Sequence, residues 1–175
     1  ENNFKIMPED IKDKISKKIK WIIINSPSNP TGSSYSKKEL KNIGDLLINY
    51  KNIFIISDDI YEKIIYDDNK FYTIAEVVPE LKDRILTVNG VSKAYAMTGW
   101  RIGYAGGPKT LISAMAKLQS QSTSNPSSIS QAAALAALEG PEDFLSERNA
   151  QFKIRRNMVV EKLNKCKGIH CLLPT

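Results

Sequence analysis

Cysteine and histidine are scarce in this chain. Its 175 residues hold two cysteines, Cys166 and Cys171, and one histidine, His170. Two cysteines do not build a disulfide framework, so a reducing, cytoplasmic setting is expected. With His170 they would supply three ligands, one short of a four-coordinate zinc site, at a spacing that fits no common zinc pattern. No metal is therefore expected. The opening residues carry no secretory pattern, and no apolar run is long enough for a bilayer, so no membrane partner is expected. Lysine outnumbers every other charged type and the formal charge is +6. The lysines are scattered through amphipathic segments rather than interleaved with aromatics in a stripe, which argues against a nucleic-acid partner. Internal repeats and low-complexity linkers are absent. The chain opens on Glu1 rather than Met and stops at Thr175. The expectation is an internal piece of a longer protein.

What is present suffices for one sizeable core: 42% of residues are hydrophobic and 25% charged. Three short apolar runs, 21–24, 53–56 and 85–88, lack polar alternation. That pattern fits strands of a parallel sheet covered on both faces. Helical patterns separate them. Met7-Pro8-Glu9-Asp10 starts a helix expected over 11–19, and Ser36 with Glu39 forms a capping box for one reaching about Tyr50. A short helical stretch to about Tyr66 and a helix near 74–82 follow. Successive strand–helix–strand units predict an α/β fold with a mostly parallel sheet sandwiched by helices. Right-handed crossovers put the three strand C-termini on one edge, where ligands of open α/β sheets bind. Asn29, Asp58, Tyr61 and Lys93 all fall just beyond those ends. Further on, a strand is expected at 103–106 and helices at 108–122, 128–138 and 142–166. A last strand is expected at 169–173.

The stretch 88–107 carries the most chemistry. After the third strand, Asn89-Gly90 is a turn pair. Lys93 follows among small and apolar residues, where desolvation favours a neutral, nucleophilic amine. Arg101 lies between Gly99 and Gly103, small neighbours that let backbone approach a ligand, and a guanidinium suits a phosphate. A Schiff-base lysine beside a phosphate-binding arginine points to an aldehyde cofactor bearing a phosphate, and pyridoxal 5'-phosphate fits.

Gly90, Val91, Ser92, Lys93, Ala96, Met97, Gly99, Arg101, Ile102 and Gly103 fill a long pattern without a gap. In this the chain resembles the class I and II aminotransferases, the fold-type I pyridoxal phosphate enzymes. Asp58-Asp59-Ile60-Tyr61 and Asn29-Pro30-Thr31-Gly32 match two further family motifs in the family's order. The resemblance implies that Asp58 keeps the cofactor's ring nitrogen protonated and that Tyr61 donates to its ring oxygen. It implies that Asn29 binds that oxygen and orients the substrate carboxylate, and that Lys93, Arg101 and Ser92 complete the cofactor contacts. Asp59 competes with Asp58 for the carboxylate role, but the spacing to Tyr61 favours Asp58. The family's serine three before the lysine is here Gly90. Ser120 stands where one subgroup has an arginine for dicarboxylic substrates.

The resemblance extends to the bacterial aspartate aminotransferase subgroup through 96–104. It implies an aminotransferase moving an amino group between an amino acid, aspartate for preference, and a 2-oxo acid. Rival readings are β-elimination at a C–S bond by the same cofactor residues, or an aminotransferase-like regulatory domain. Residues 1–145 would form part of the cofactor-binding large domain. Residues 146–175 would form the connecting helix and the start of a small C-terminal domain. A homodimer is implied as well.

Overall fold

The computed structural model describes residues 2–175. The sheet has four strands, β1 (Trp21–Asn25), β2 (Phe54–Asp58), β3 (Ile85–Asn89) and β4 (Tyr104–Gly106), in that spatial order. The first three are parallel and β4 runs antiparallel to β3. The register aligns Asn25 with Asp58, and Asp58 with Val88, in one row at the C-terminal edge. The α/β class and the common strand edge are therefore as expected.

The helices in order are α1 (Pro8–Lys14), α2 (Lys37–Ile48), α3 (Ile74–Val77), α4 (Val91–Ala94), α5 (Lys109–Ser120), α6 (Ser128–Glu139) and α7 (Asp143–Asn164). The capping box of α2 forms: Ser36 Oγ accepts from Glu39 N–H, and the Glu39 carboxylate accepts from Ser36 N–H at 2.7 Å. Two backbone donors at that helix start are thereby satisfied reciprocally. The core lies between α2, α3 and one face of the sheet, with Ile24, Leu40, Ile43, Leu47, Ile55 and Ile85 buried together. Gly44 lets α2 approach closely, since a Cβ there would lie 2.4 Å from Val78 Cγ2.

Several local expectations are corrected. Helix α1 begins at Pro8 and stops before Ile15, which is extended at ψ 129°. The stretch to Tyr66 is a set of isolated turns, with Glu62 N–H on Asp59 O and Ile64 N–H on Tyr61 O, not a helix. The helix expected over 74–82 is split by Pro79: Val78 leaves helical geometry and a 3-10 segment, Pro79–Arg84, continues. A residue before proline is pushed out of the helical region by the ring, which accounts for the break. Residues 169–173 form no strand, because no strand among the described residues pairs with them and an unpaired strand has no ladder. Strand β1 is not covered on both faces: Ile23 is 66% exposed and Trp21 40%, whereas Ile24 on the other face is buried in the core.

Candidate active site

The site is assembled from the row where the parallel strands end. Asp58 closes β2, and its Oδ1 accepts from Ile60 N–H at 3.3 Å, an Asx-type turn that carries the chain round to Tyr61. Asp59 turns the other way. It is 3% exposed and accepts from Ser57 Oγ at 2.7 Å. Burial pushes its pKa up. The two neighbouring carboxylates thus occupy different environments, one half-open at the sheet edge and one buried in the body.

Asn29 comes from the loop after β1, where the Ser26–Pro27 and Asn29–Pro30 peptide bonds are both cis. Its Nδ2 donates to Tyr61 Oη at 3.1 Å. Lys93 sits in the single turn α4, with Nζ 5.9 Å from the Tyr61 ring centroid. Ser92 precedes it in the same turn. Gly90 lies where the chain returns from β3 toward β4: a Cβ there would meet Ile102 O at 3.1 Å, so a small residue suits the crossing. The structure thus brings Asn29, Tyr61 and Lys93 together, with Asp58 at the root of the same turn. Arg101 is exposed, in left-handed backbone at φ 52°, and donates to Thr98 O at 2.8 Å. No contact joins its guanidinium to Lys93 in this arrangement.

A cleft of about 410 Å³ opens beside these groups, lined by Asn29, Tyr61, Tyr66, Phe152 and Thr175 among others. The carboxamide of Asn29 and the phenol of Tyr61 line it; with the Lys93 amine near the Tyr61 ring and the Asp58 carboxylate at the root of the turn, the groups fit an aldehyde-bearing, cationic aromatic ring. They offer a nucleophile, two donors for a ring oxygen and one counter-charge.

Three supporting residues escaped the sequence patterns. Arg148 of α7 reaches back to α4, donating to Ala94 O and, at 3.5 Å, to Lys93 O. Its guanidinium lies over two aromatic rings, 5.5 Å from the Phe144 centroid and 5.7 Å from that of Phe152. Its Nε and Nη2 and the Oδ1 of Asn149 are buried with no partner among the described residues. Arg156, 9% exposed, holds Asp67 at 2.8 Å and Pro174 O at 2.8 Å. The neighbouring cations hold the Asp67 carboxyl below its ordinary range, Lys153 first and then Arg156. Asn25 bridges the ends of β1 and β2, with Nδ2 on Asp58 O at 3.1 Å. None carries a local signal: Arg148 and Arg156 look like the solvated face of an amphipathic helix, and Asn25 looks like the start of a loop.

The family model for aminotransferase class I and II matches residues 1–175. The chain belongs to that family. It is 55% identical over 174 residues to the probable aspartate/prephenate aminotransferase of Rickettsia conorii, covering 99% of this chain and 43% of that one. It is 52% identical over 173 residues to the aspartate aminotransferase of Rhizobium meliloti, covering 99% of this chain and 42% of the relative. The crystal structure of the Rhizobium meliloti enzyme superposes with a TM-score of 0.96 at 51% identity, over 98% of this chain and 43% of that one. The chain thus spans less than half the length of the relatives it matches. Among the described residues no helix is long and apolar enough to cross a membrane.

Proposed function

We propose that the protein to which this chain belongs is a pyridoxal phosphate-dependent aminotransferase. It would exchange an amino group between aspartate and a 2-oxo acid. The observation that carries the reading is the meeting of Lys93, Tyr61 and Asn29 beside Asp58 at the C-terminal sheet edge. Names of relatives more than 50% identical to the chain support the choice of aspartate. They favour transamination over β-elimination or a regulatory role.

When bound, the cofactor supplies an aldehyde that takes up the amino group and a pyridine ring that withdraws electrons from Cα. Lys93 Nζ would hold the cofactor through its aldehyde and, when free, would act as the base and acid that moves a proton at the substrate Cα. Asp58 would hold a proton at the ring nitrogen by charge pairing. Tyr61 Oη and Asn29 Nδ2 would donate to the ring oxygen, and Asn29 would also orient the substrate carboxylate. Arg101 and Ser92 bind the phosphate, which requires the Arg101 side chain to leave Thr98 O. Residues 1–145 belong to the large domain, and 146–175, mostly α7, lead into the small one. The protein works as a cytoplasmic homodimer.

The test uses the full-length protein. Pyridoxal phosphate should give a visible band that borohydride bleaches, and Lys93→Ala should lose both that covalent linkage and aspartate–2-oxoglutarate turnover, the latter by about four orders of magnitude or more. Near-normal turnover in Lys93→Ala would end this reading.

A further inference from the structure

Asn25 is the last residue of β1 and lies in register with Asp58. Its carboxamide works in both directions. Nδ2 donates to the main-chain O of Asp58 at 3.1 Å, and Oδ1 accepts from the main-chain N–H of Asn29 at 2.8 Å. Asn29 Nδ2 in turn donates to Tyr61 Oη at 3.1 Å. Tyr61 is reached from Asp58 through the turn that begins with Asp58 Oδ1 on Ile60 N–H. The contacts close a ring: Asn25 to Asp58, round the turn to Tyr61, across to Asn29, and back to Asn25.

A carboxamide is the smallest side-chain group with a donor and an acceptor on one rigid plane. Aspartate lacks the donor, serine lacks the reach, and glutamine adds a methylene to a gap already closed at both ends. Strand pairing does not depend on this side chain, because Ser26 N–H also donates to Asp58 O, at 3.3 Å, and the β1–β2 ladder continues behind it. Loss of the carboxamide should therefore leave the fold standing and loosen only the spacing of the ring.

We propose that Asn25 is a positioning residue that holds the Asn29 loop at a set distance from the Asp58–Tyr61 turn. Counter-charge and phenol then face the cofactor ring together. The assignment rests on the reading above for what Asp58, Asn29 and Tyr61 do. The clamp itself belongs to the chain without cofactor.

The experiment compares full-length wild type with Asn25→Ala, Asn25→Asp, Tyr61→Phe and the Asn25→Ala/Tyr61→Phe double variant. The first readout is amide hydrogen exchange on cofactor-free protein. Asn25→Ala should speed exchange at the Asn29 amide about five-fold, the equilibrium worth of one ordinary hydrogen bond, with the amides of α2 unchanged. Asn25→Asp, which keeps the acceptor, should leave the Asn29 amide protected. The second readout is the pH midpoint of the bound pyridoxal phosphate band together with kcat and KM. Asn25→Ala should shift the midpoint and lower kcat about ten-fold with little change in KM. In the Tyr61→Phe background the same substitution should cost less than about two-fold, because the arm it positions is already broken. Unchanged exchange at Asn29, or an equal kcat loss in both backgrounds, would overturn the proposal. A wild-type protein with no cofactor band would refute the aminotransferase reading instead, and the exchange measurement would still decide the clamp.

Discussion

Replacing Asp58 and Asp59 in turn should separate a functional carboxylate from a structural one lying beside it. For Asp58 the effect falls on turnover. A unit charge pair at about 4 Å, with an effective dielectric of about 20, is worth roughly 4 kcal/mol. Each 1.4 kcal/mol is about ten-fold in rate, so Asp58→Asn should lower kcat by about 10²–10³ while folding stability moves by less than about 1 kcal/mol. For Asp59 the effect falls on stability. Its carboxylate accepts from Ser57 Oγ, and Ser57 is 2% exposed, so Asp59→Ala leaves that buried hydroxyl with only its 3.5 Å contact to Thr73 Oγ1. That costs about 1–3 kcal/mol, with kcat within about three-fold of wild type.

The pH dependence carries a further sign. Burial raises the folded pKa of Asp59 above its unfolded value. The neutral form is thus the one the fold prefers. Its contribution is fully present below the unfolded pKa and is lost as pH rises through the folded pKa, with a slope of at most about 1.4 kcal/mol per pH unit. Asp59→Asn keeps the acceptor for Ser57 and removes the charge, so this slope should vanish. The variant should be at least as stable as wild type at neutral pH. The assays are steady-state aspartate–2-oxoglutarate turnover and urea unfolding of the full-length protein between pH 4 and 8. A collapse of kcat in Asp59→Asn with near-normal kcat in Asp58→Asn would refute the assignment of the two carboxylates.

Gly44→Ala gains about 1 kcal/mol of helix propensity but drives a Cβ into Val78, the nearer atom at 2.4 Å. Overpacking of that kind costs about 1–3 kcal/mol, so the variant should be less stable by urea unfolding, and adding Val78→Ala should recover part of the loss. A Gly44→Ala protein more stable than wild type would show that α2 and Val78 have more room than the structure gives. Expressed alone, residues 1–175 should self-associate and show no transamination, because Ile23, Leu118 and Ile129 are 66%, 74% and 69% exposed and such apolar patches drive association. A monodisperse, active preparation by light scattering and turnover assay would contradict this.

Local chemistry was legible in the sequence wherever a feature depends on residues a few positions apart. The Ser36–Glu39 capping box, which forms, and the three apolar strand runs, which all become strands although β1 is bare on one face, are of that kind. So is the ordered array from Gly90 to Gly103, which announces a lysine and an arginine in one loop before any fold is known. Pro79 divides the 74–82 helix, a break that the residue itself signals, since proline bars its predecessor from helical geometry.

Tertiary structure alone decided the rest. Nothing near Asp58 and Asp59 in the chain says which is buried; the β2 pleat does, by turning Ser57 and Asp59 inward and leaving Asp58 at the edge. The bridge from Asn25 to Asp58 joins residues 33 positions apart, through a strand register set by which apolar faces pack on α2. Arg148 reaches the carbonyls of the Lys93 turn from a helix more than 50 residues later. Periodicity can assign such a residue to a helix face, but only packing decides what that face meets.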